Sequence, residues 1–306
     1  MTAAAVHDGS IDTAHDTTPT EAPASVASCT PRAAAGLLAA LEASAATWSV
    51  LLLDADTGDV LLRHSPDTVL KTASVAKILL LVEAARQIEA GALRTGEMLS
   101  RDRRLRVADS GIWQHLHVDA LRVDDVARLI GMASDNWATN VLLARVGGPA
   151  QVAATAAALG IRDVALHDRV RDRRGPSDPP TLSTGSAEAY ADVLARLRRG
   201  AVITPDVSSR VLAWLRDGLD LSMVAAAWGL DPLAHTAADR GLTAINKTGT
   251  DDGVRADVGI LTGPSRSVVY ACIANWAGEG DADPQRDEVL DLMRAIGRFL
   301  RDAVTP

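Results

Sequence analysis

Three short motifs along the chain carry side chains that can perform acyl-transfer chemistry. Ser74 and Lys77 form an S-x-x-K pair, S-D-N occupies residues 134–136, and K-T-G occupies residues 247–249. A serine hydroxyl is a weak nucleophile at neutral pH unless a nearby base takes its proton. Because residues three apart lie on one face of a helix, Lys77 can act as that base for Ser74. The pair therefore indicates nucleophilic catalysis through an acyl intermediate on Ser74.

The use of lysine in this sequence strengthens that interpretation. Of the 31 basic residues only Lys71, Lys77 and Lys247 are lysines, so two of the three lie in the motifs. Other cations of the chain are arginines, whose guanidinium does not lose its proton, whereas an amine can. We expect burial and the charge of Lys247 to lower the pKa of Lys77 far enough for it to serve as a base.

The remaining motif residues predict the other walls of a site. Ser134 would pass a proton to a leaving nitrogen, and Asn136 would hold Lys77 or a substrate amide. Backbone N–H groups at the start of the Ser74 helix would face a developing oxyanion.

The K-T-G segment predicts the opposite wall, at the end of a strand. There Lys247 and Thr248 would bind a substrate carboxylate. The candidate substrate-binding residues of this wall are Thr248, Gly249 and Thr250.

Each motif alone also fits a simpler structural role. Ser74 fits a helix N-cap, which is a common use of serine before a helix, and Ser134 or Asp135 fits a cap for the helix that follows. K-T-G fits a strand that runs into a turn. The occurrence of all three motifs in this order favours the chemical interpretation.

Other catalytic signatures are absent from the sequence. It contains no G-x-S-x-G nucleophile elbow, no H-E-x-x-H or paired-cysteine zinc motif and no glycine-rich phosphate loop. His115 and His117 fall in a stretch that reads as a loop. We therefore predict that the protein uses no metal and no cofactor.

The elements that must position these residues follow from the apolar patterning. A helix is expected from Pro31 to about Ala46, a hairpin from strands 48–54 and 60–63, and a buried helix over 74–92. Further helices are expected at 123–133, 136–146, 149–159, 186–199 and 205–218. Strands are expected at 242–248, 254–262 and 267–275, and an amphipathic helix over 286–304. Residues 163–183 read as a long polar surface loop.

This order, with strands near both ends and helices between them, predicts the domain organisation. An antiparallel sheet flanked by helices, an α+β three-layer arrangement, would be built from about 31–66 and 235–306, and an all-helical subdomain from about 67–234 would be inserted. Residues 1–30 are rich in Ala, Thr, Asp, Pro and Ser and read as a disordered tail.

The composition limits the classes of partner that the protein is expected to bind. The formal net charge of -8 argues against nucleic acid or an anionic membrane, and no apolar run is long enough to span a bilayer. No basic n-region precedes an apolar segment near the start, so we expect a cytoplasmic protein. Cys29 and Cys272 are not expected to form a disulfide. We expect a monomer that acts on a small-molecule substrate.

Taken together, the motifs resemble those of the class A β-lactamases and penicillin-binding serine hydrolases over about residues 31–306. The likeness extends to S-D-N-W-A-T-N-V-L-L at 134–143 and to S-G-I-W at 110–113. It implies the β-lactamase/transpeptidase-like fold, with Trp113 either a wall of the site or a core aromatic. Arg255, eight residues past Lys247, would bind a carboxylate or be an ordinary strand arginine.

The sequence departs from this resemblance in one respect. Class A enzymes carry a glutamate that activates the deacylating water, but no Glu occurs between Ile161 and Ala187. Alignment puts its position near Arg171. The residues that could replace it are His167, Asp168, Asp172 and Asp178.

Because a positioned base contributes about 10² to 10⁴ in rate, acylation without it would be followed by slow release. The leading expectation is β-lactam hydrolysis. The alternatives are an esterase or D-alanyl peptidase-like hydrolase on the same scaffold, and a penicillin-binding sensor or trap that does not turn over.

Overall fold

Both ends of the chain contribute strands to one central sheet. The computed structural model describes residues 31–233, 237–278 and 283–306. In chain order its helices and strands are α1 (Pro31–Ala43), β1 (Thr47–Asp54), β2 (Val60–His64), β3 (Leu70–Lys71), α2 (Lys77–Glu89), β4 (Met98–Ser100), β5 (Ala120–Arg122), α3 (Val123–Ala133), α4 (Asn136–Val146), α5 (Gly148–Ala158), β6 (Val164–Leu166), β7 (Ser183–Gly185), α6 (Ala187–Arg198), α7 (Pro205–Leu215), β8 (Thr243–Asp251), β9 (Val254–Thr262), β10 (Ser267–Asn275) and α8 (Pro284–Val304). The order across the sheet is β2-β1-β10-β9-β8, with every neighbouring pair antiparallel. The predicted sheet from both chain ends is confirmed.

The central strands are buried on both faces of the sheet. In β10, Val269, Ala271 and Ile273 belong to the core shared with the helices of the middle of the chain. The alternate residues Tyr270 and Cys272 belong to a second core, under α1 and α8. Side chains of a strand point alternately to its two faces, so a continuous apolar run such as this one fits a strand covered on both sides. The free thiol of Cys272 is buried, as expected of a small apolar side chain.

The middle of the chain surrounds α2, which is apolar and buried along most of its length. The predicted all-helical subdomain needs a correction here, because two small sheets accompany the helices, β3-β7-β6 and β4-β5. The predicted loop over 163–183 is corrected in the same way, since Val164–Leu166 pairs with Ser183–Gly185 at its edge. Strands of two or three residues are too short to show an alternating pattern in the sequence.

The bounds of the longer elements agree closely with the prediction. The helices over 123–133 and 136–146 and the strands over 254–262 and 267–275 are found at the predicted residues. The helix predicted from Ser74 begins differently. Ala73–Ala76 forms a 3₁₀ turn, and the α-helix begins at Lys77.

In the described residues no single helix is long and apolar enough to cross a bilayer, and only α4 and α5 together, bent by 74° at their junction, reach that length. The predicted tail over 1–30, with Cys29, lies outside the described residues.

Candidate active site

All three motifs meet at one cavity of about 770 Å³. Its walls come from the 3₁₀ turn before α2, the α3–α4 junction, two loops and the edge strand β8. Its lining residues include Ser74, Ser134, Asn136, Lys247, Thr248, Thr250, Ile112, Arg171, Asp172, Arg174, Asp220 and Asp251. The structure thus brings together residues that are up to 177 positions apart in the chain, Ser74 and Asp251.

Ser74 lies on the 3₁₀ turn that precedes α2. Side chains three residues apart eclipse one another on a 3₁₀ turn, which sets Ser74 and Lys77 on the same side. No side chain caps this turn or α2 by a hydrogen bond, so Ser74 is not the N-cap of either. The preceding residue, Ala73, has a left-handed φ of 46°. Such strain in a non-glycine residue is typical of functional sites.

Lys77 has no solvent exposure, yet its ammonium group is fully engaged. Its Nζ donates to the Ser134 carbonyl oxygen at 2.6 Å, to Ser134 Oγ at 3.2 Å and to Asn136 Oδ1 at 2.7 Å. Burial and the charge of Lys247 lower the pKa of Lys77 well below its ordinary value, against the opposing charges of Asp135 and Asp109. An amine in this state can hold or release a proton beside the Ser134 hydroxyl.

The α3–α4 junction turns Ser134 and Asn136 towards Lys77. Ser134 ends α3 in a left-handed conformation with φ of 54°, and Asp135 caps α4 by accepting from the Ala138 N–H at 2.8 Å. The second oxygen of Asp135 accepts from the N–H groups of Ile112 and Trp113, each at 2.7 Å. The capping role foreseen for Asp135 is therefore confirmed. The same carboxylate also holds the loop that contains Ile112, which lines the cavity.

Strand β8 forms the opposite wall and is an edge strand of the main sheet. Lys247 is 3% exposed, and its Nζ donates to the Thr248 carbonyl oxygen at 2.9 Å. Burial lowers its pKa to about 8, partly offset by the charges of Asp220 and Asp257. Gly249 lies so close to the 3₁₀ turn that a Cβ there would overlap the Thr72 carbonyl oxygen and lie 3.1 Å from the Ser74 nitrogen. Glycine is required for this approach.

Two carboxylates beside β8 were not identified from the sequence. Asp220 lines the cavity next to Thr248, and its backbone oxygen accepts from Asn246 Nδ2 at 3.1 Å. Asp257 lies on β9 with no exposure, and its carboxylate accepts from the Val224 N–H and the Tyr270 hydroxyl. Neither residue belongs to a recognisable motif, and their approach to β8 depends on the folded chain.

Trp113 and Arg255, for which the sequence left two roles open, are not among the residues that line the cavity. Trp113 is fully buried, its Nε1 donates to the Val118 carbonyl oxygen at 3.0 Å, and its ring packs on Trp137. It is the core aromatic of the two alternatives. Arg255 donates instead to the carbonyl oxygens of Asp251 and Val254 and lies over the Trp276 ring.

The loop that lacks the glutamate still contributes to the cavity. Arg171 lies there and pairs with Asp168 at 2.6 Å and with Asp178 at 3.1 Å. Of the four residues that could replace the glutamate, Asp172 alone lines the cavity. Its Oδ1 accepts from the Ala108 N–H at 2.8 Å. Asp168 is held by two arginines, and His167 bonds Thr184.

Comparisons with known proteins identify one matching family model and several similar proteins. The model of the β-lactamase enzyme family matches residues 32–304. A β-lactamase of Streptomyces albus G is 28% identical over 276 residues, which are 86% of this chain and 83% of that protein. A β-lactamase structure from Sphaerobacter thermophilus is similar at a TM-score of 0.73 and 26% identity, over 89% of this chain and 95% of that one. A mutant of PBP-A in acyl-enzyme complex with penicillin G shares the fold at a TM-score of 0.74 and 21% identity, over 89% and 96% of the two chains.

Proposed function

Because the chain belongs to the β-lactamase enzyme family, we propose that it is an active-site-serine hydrolase that forms an acyl-enzyme on Ser74. The bond it cleaves is the amide of a β-lactam or a related small amide or ester. The observation that carries the proposal is the buried Lys77 amine, which lies three residues from Ser74 and bonds both Ser134 and Asn136. An amine with a lowered pKa in this position is the base that a serine nucleophile requires.

The first half of the reaction uses Ser74 and two groups that are already in contact, Lys77 and Ser134. Ser74 Oγ attacks the carbonyl carbon while its proton passes to Lys77. Collapse of the tetrahedral species breaks the carbon–nitrogen bond, and a proton reaches the leaving nitrogen through Ser134, which is bonded to Lys77 Nζ at 3.2 Å. The products are an ester on Ser74 and a free amine, which in a β-lactam remain one molecule.

The walls of the cavity supply binding and electrostatic stabilisation. Backbone N–H groups of the 3₁₀ turn and of the edge strand β8, which Gly249 brings together, receive the developing oxyanion. Asn136 orients Lys77, and Thr248 and Thr250 bind the substrate along β8. Trp113 and Arg255 have no part in this proposal, because neither lines the cavity.

Slow release of the acyl group is the second part of the proposal. Water must attack the ester to free the acid and restore Ser74, and the loop over 167–182 offers no glutamate to activate it. Asp172 is the carboxylate of that loop that lines the cavity. This observation favours penicillin-binding behaviour, in which the acyl-enzyme accumulates, over rapid turnover.

Incubation with a chromogenic cephalosporin at millimolar concentration tests the proposal, with absorbance and intact protein mass followed together. We expect a stoichiometric burst, a mass increase equal to the acyl group, and at most slow turnover. Ser74→Ala should remove both signals, whereas Ser177→Ala, in an exposed part of the loop, should retain them. Labelling that survives Ser74→Ala would show that Ser74 is not the nucleophile.

A further inference from the structure

The end of the cavity formed by β8 already contains a carboxylate of the protein. Asp220 lines this end together with Lys247 and Thr248. Its Oδ1 accepts from Ser222 Oγ at 2.6 Å and from the Ser222 N–H at 3.1 Å. The Asn246 side chain bonds the Asp220 backbone and fixes this segment against the strand. Asp220 is therefore held in place and is not a freely rotating surface side chain.

The donors expected to bind a substrate carboxylate are directed to this residue. The Thr248 side chain hydrogen-bonds the Asp220 carboxylate, and the Lys247 ammonium lies within electrostatic reach of it. Burial would raise the pKa of Asp220, but the bonds from Ser222 and Thr248 and the charge of Lys247 together lower it. Asp220 is thus an anion at neutral pH. It accepts from the Thr248 hydroxyl and balances the charge of the Lys247 ammonium.

The cations near this wall are already matched by carboxylates of the protein. Asp251 lines the same end of the cavity, and the Arg255 guanidinium, which bonds the Asp251 and Val254 carbonyl oxygens, lies within electrostatic reach of both Asp220 and Asp251. Besides Lys247, the cations that line the cavity are Arg171 and Arg174. Both belong to the opposite loop and are paired with Asp168. A carboxylate brought to Thr248 would meet two like charges in a partly desolvated place, which disfavours it.

We propose that Asp220 occupies the place of a substrate carboxylate, so that the site selects amides, lactams or esters whose group facing Thr248 is uncharged or cationic. This inference rests on the proposed acylation of Ser74 and concerns which substrates acylate it fastest. A neutral amide can donate to Asp220 and accept from Thr248, whereas an amine can pair with Asp220 directly. Asp220 is a specificity-determining residue and takes no part in bond cleavage.

The test compares a chromogenic cephalosporin with its 4-carboxamide, which has the same scissile bond and shape but no negative charge at that position. The second-order rate constant of acylation is measured for each by intact mass. We expect the wild-type protein to react at least about tenfold faster with the carboxamide. Asp220→Asn should raise the rate with the acid by about tenfold and change the rate with the carboxamide little. Asp217→Asn, three residues away and paired with Arg128, is the matched control.

The outcomes separate this inference from the proposed function. Acylation of the wild type with a preference for the acid, or an unchanged preference in a folded Asp220→Asn protein, would overturn the inference alone. Failure of both compounds to acylate the wild type would overturn the proposed function and the inference with it. Because the wild-type ratio needs no variant, it decides the matter even if Asp220→Asn does not fold.

Discussion

At the scale of single residues, the site depends on the difference between an amine and a guanidinium. Lys77 is surrounded by oxygen acceptors of Ser134 and Asn136 that stabilise its ammonium form, while burial and Lys247 favour the neutral form. These opposing effects keep proton transfer reversible, which is what a base that must also return a proton requires. An arginine here would remain charged throughout and could not perform the exchange.

Asp172 provides a residue-scale prediction about the fate of the acyl-enzyme. If this carboxylate activates the deacylating water, Asp172→Asn should lengthen the lifetime of the acyl adduct by about 10² or more, because a positioned base contributes about that factor. The acylation rate should not change, since Ser74 and Lys77 are untouched. The adduct lifetime is measured by intact mass after excess cephalosporin is removed.

Asp178→Asn is the control for the Asp172 experiment. Asp178 lies in the same loop and pairs with Arg171, but it is not among the residues that line the cavity. The Asp178→Asn variant therefore shows how far a change in the loop by itself alters the lifetime of the acyl adduct. Equal lifetimes for wild type and Asp172→Asn would exclude Asp172 as the base and leave the acyl-enzyme without one from this loop.

At the scale of elements, the site depends on the close approach of β8 to the 3₁₀ turn. Gly249→Ala would place a methyl group against the Thr72 carbonyl oxygen and the Ser74 backbone. We expect the strand and turn to separate, with a loss of about 1–3 kcal/mol in the free energy of unfolding. Acylation of Ser74 should fall by more than tenfold, because the nucleophile and the β8 wall move apart. Urea unfolding and the acylation rate measure the two effects.

A second glycine distinguishes crowding from a general effect of alanine. At Gly96 a Cβ would meet no atom within 4 Å, and Gly96→Ala should leave both stability and acylation close to wild type. Acylation by Gly249→Ala at the wild-type rate would mean that the approach of β8 to Ser74 is not needed for the reaction.

Elements with a strong periodic pattern were predictable from the sequence. The amphipathic α3 and the apolar strands β9 and β10 have the expected bounds. A long buried helix face or a buried strand produces a regular spacing of apolar residues, which the sequence shows directly. The short strands β6 and β7 were missed for the opposite reason. Their pairing depends on a partner about twenty residues away rather than on a local pattern.

The site was predictable where local motifs define it. The convergence of Ser74, Lys77 and Ser134 followed from residue types and spacing. The sequence left two roles open for both Trp113 and Arg255, because their surroundings decide between them. Asp135 and Val118 bond Trp113, and backbone carbonyl oxygens accept from Arg255. The position of Asp220 depends on how the α7–β8 connection packs on the sheet, which no single segment reveals.

At the scale of the whole molecule, a buried carboxylate joins the middle of the chain to the sheet. Asp257 accepts from the Val224 N–H at 3.1 Å, from Asn246 Nδ2 at 3.2 Å and from the Tyr270 hydroxyl at 3.0 Å. Despite these donors, burial and the charge of Asp220 raise its pKa from 3.8 to about 7. The folded protein therefore keeps a proton on Asp257 in a pH range where the unfolded chain has lost it.

This retained proton makes global stability depend on pH. A raised carboxyl pKa contributes stability that is fully present below about pH 4 and is lost as the pH rises through about 7. In that window the Asp257 contribution to the free energy of unfolding should fall by up to about 1.4 kcal/mol per pH unit. Asp257→Asn cannot ionise, so relative to wild type it should gain stability between pH 4.5 and 7.5.

Urea unfolding curves at several pH values, with Asp125→Asn as a control for the lost charge, measure the difference. Parallel pH profiles for wild type and Asp257→Asn would show that Asp257 is already ionised in the folded protein throughout this range.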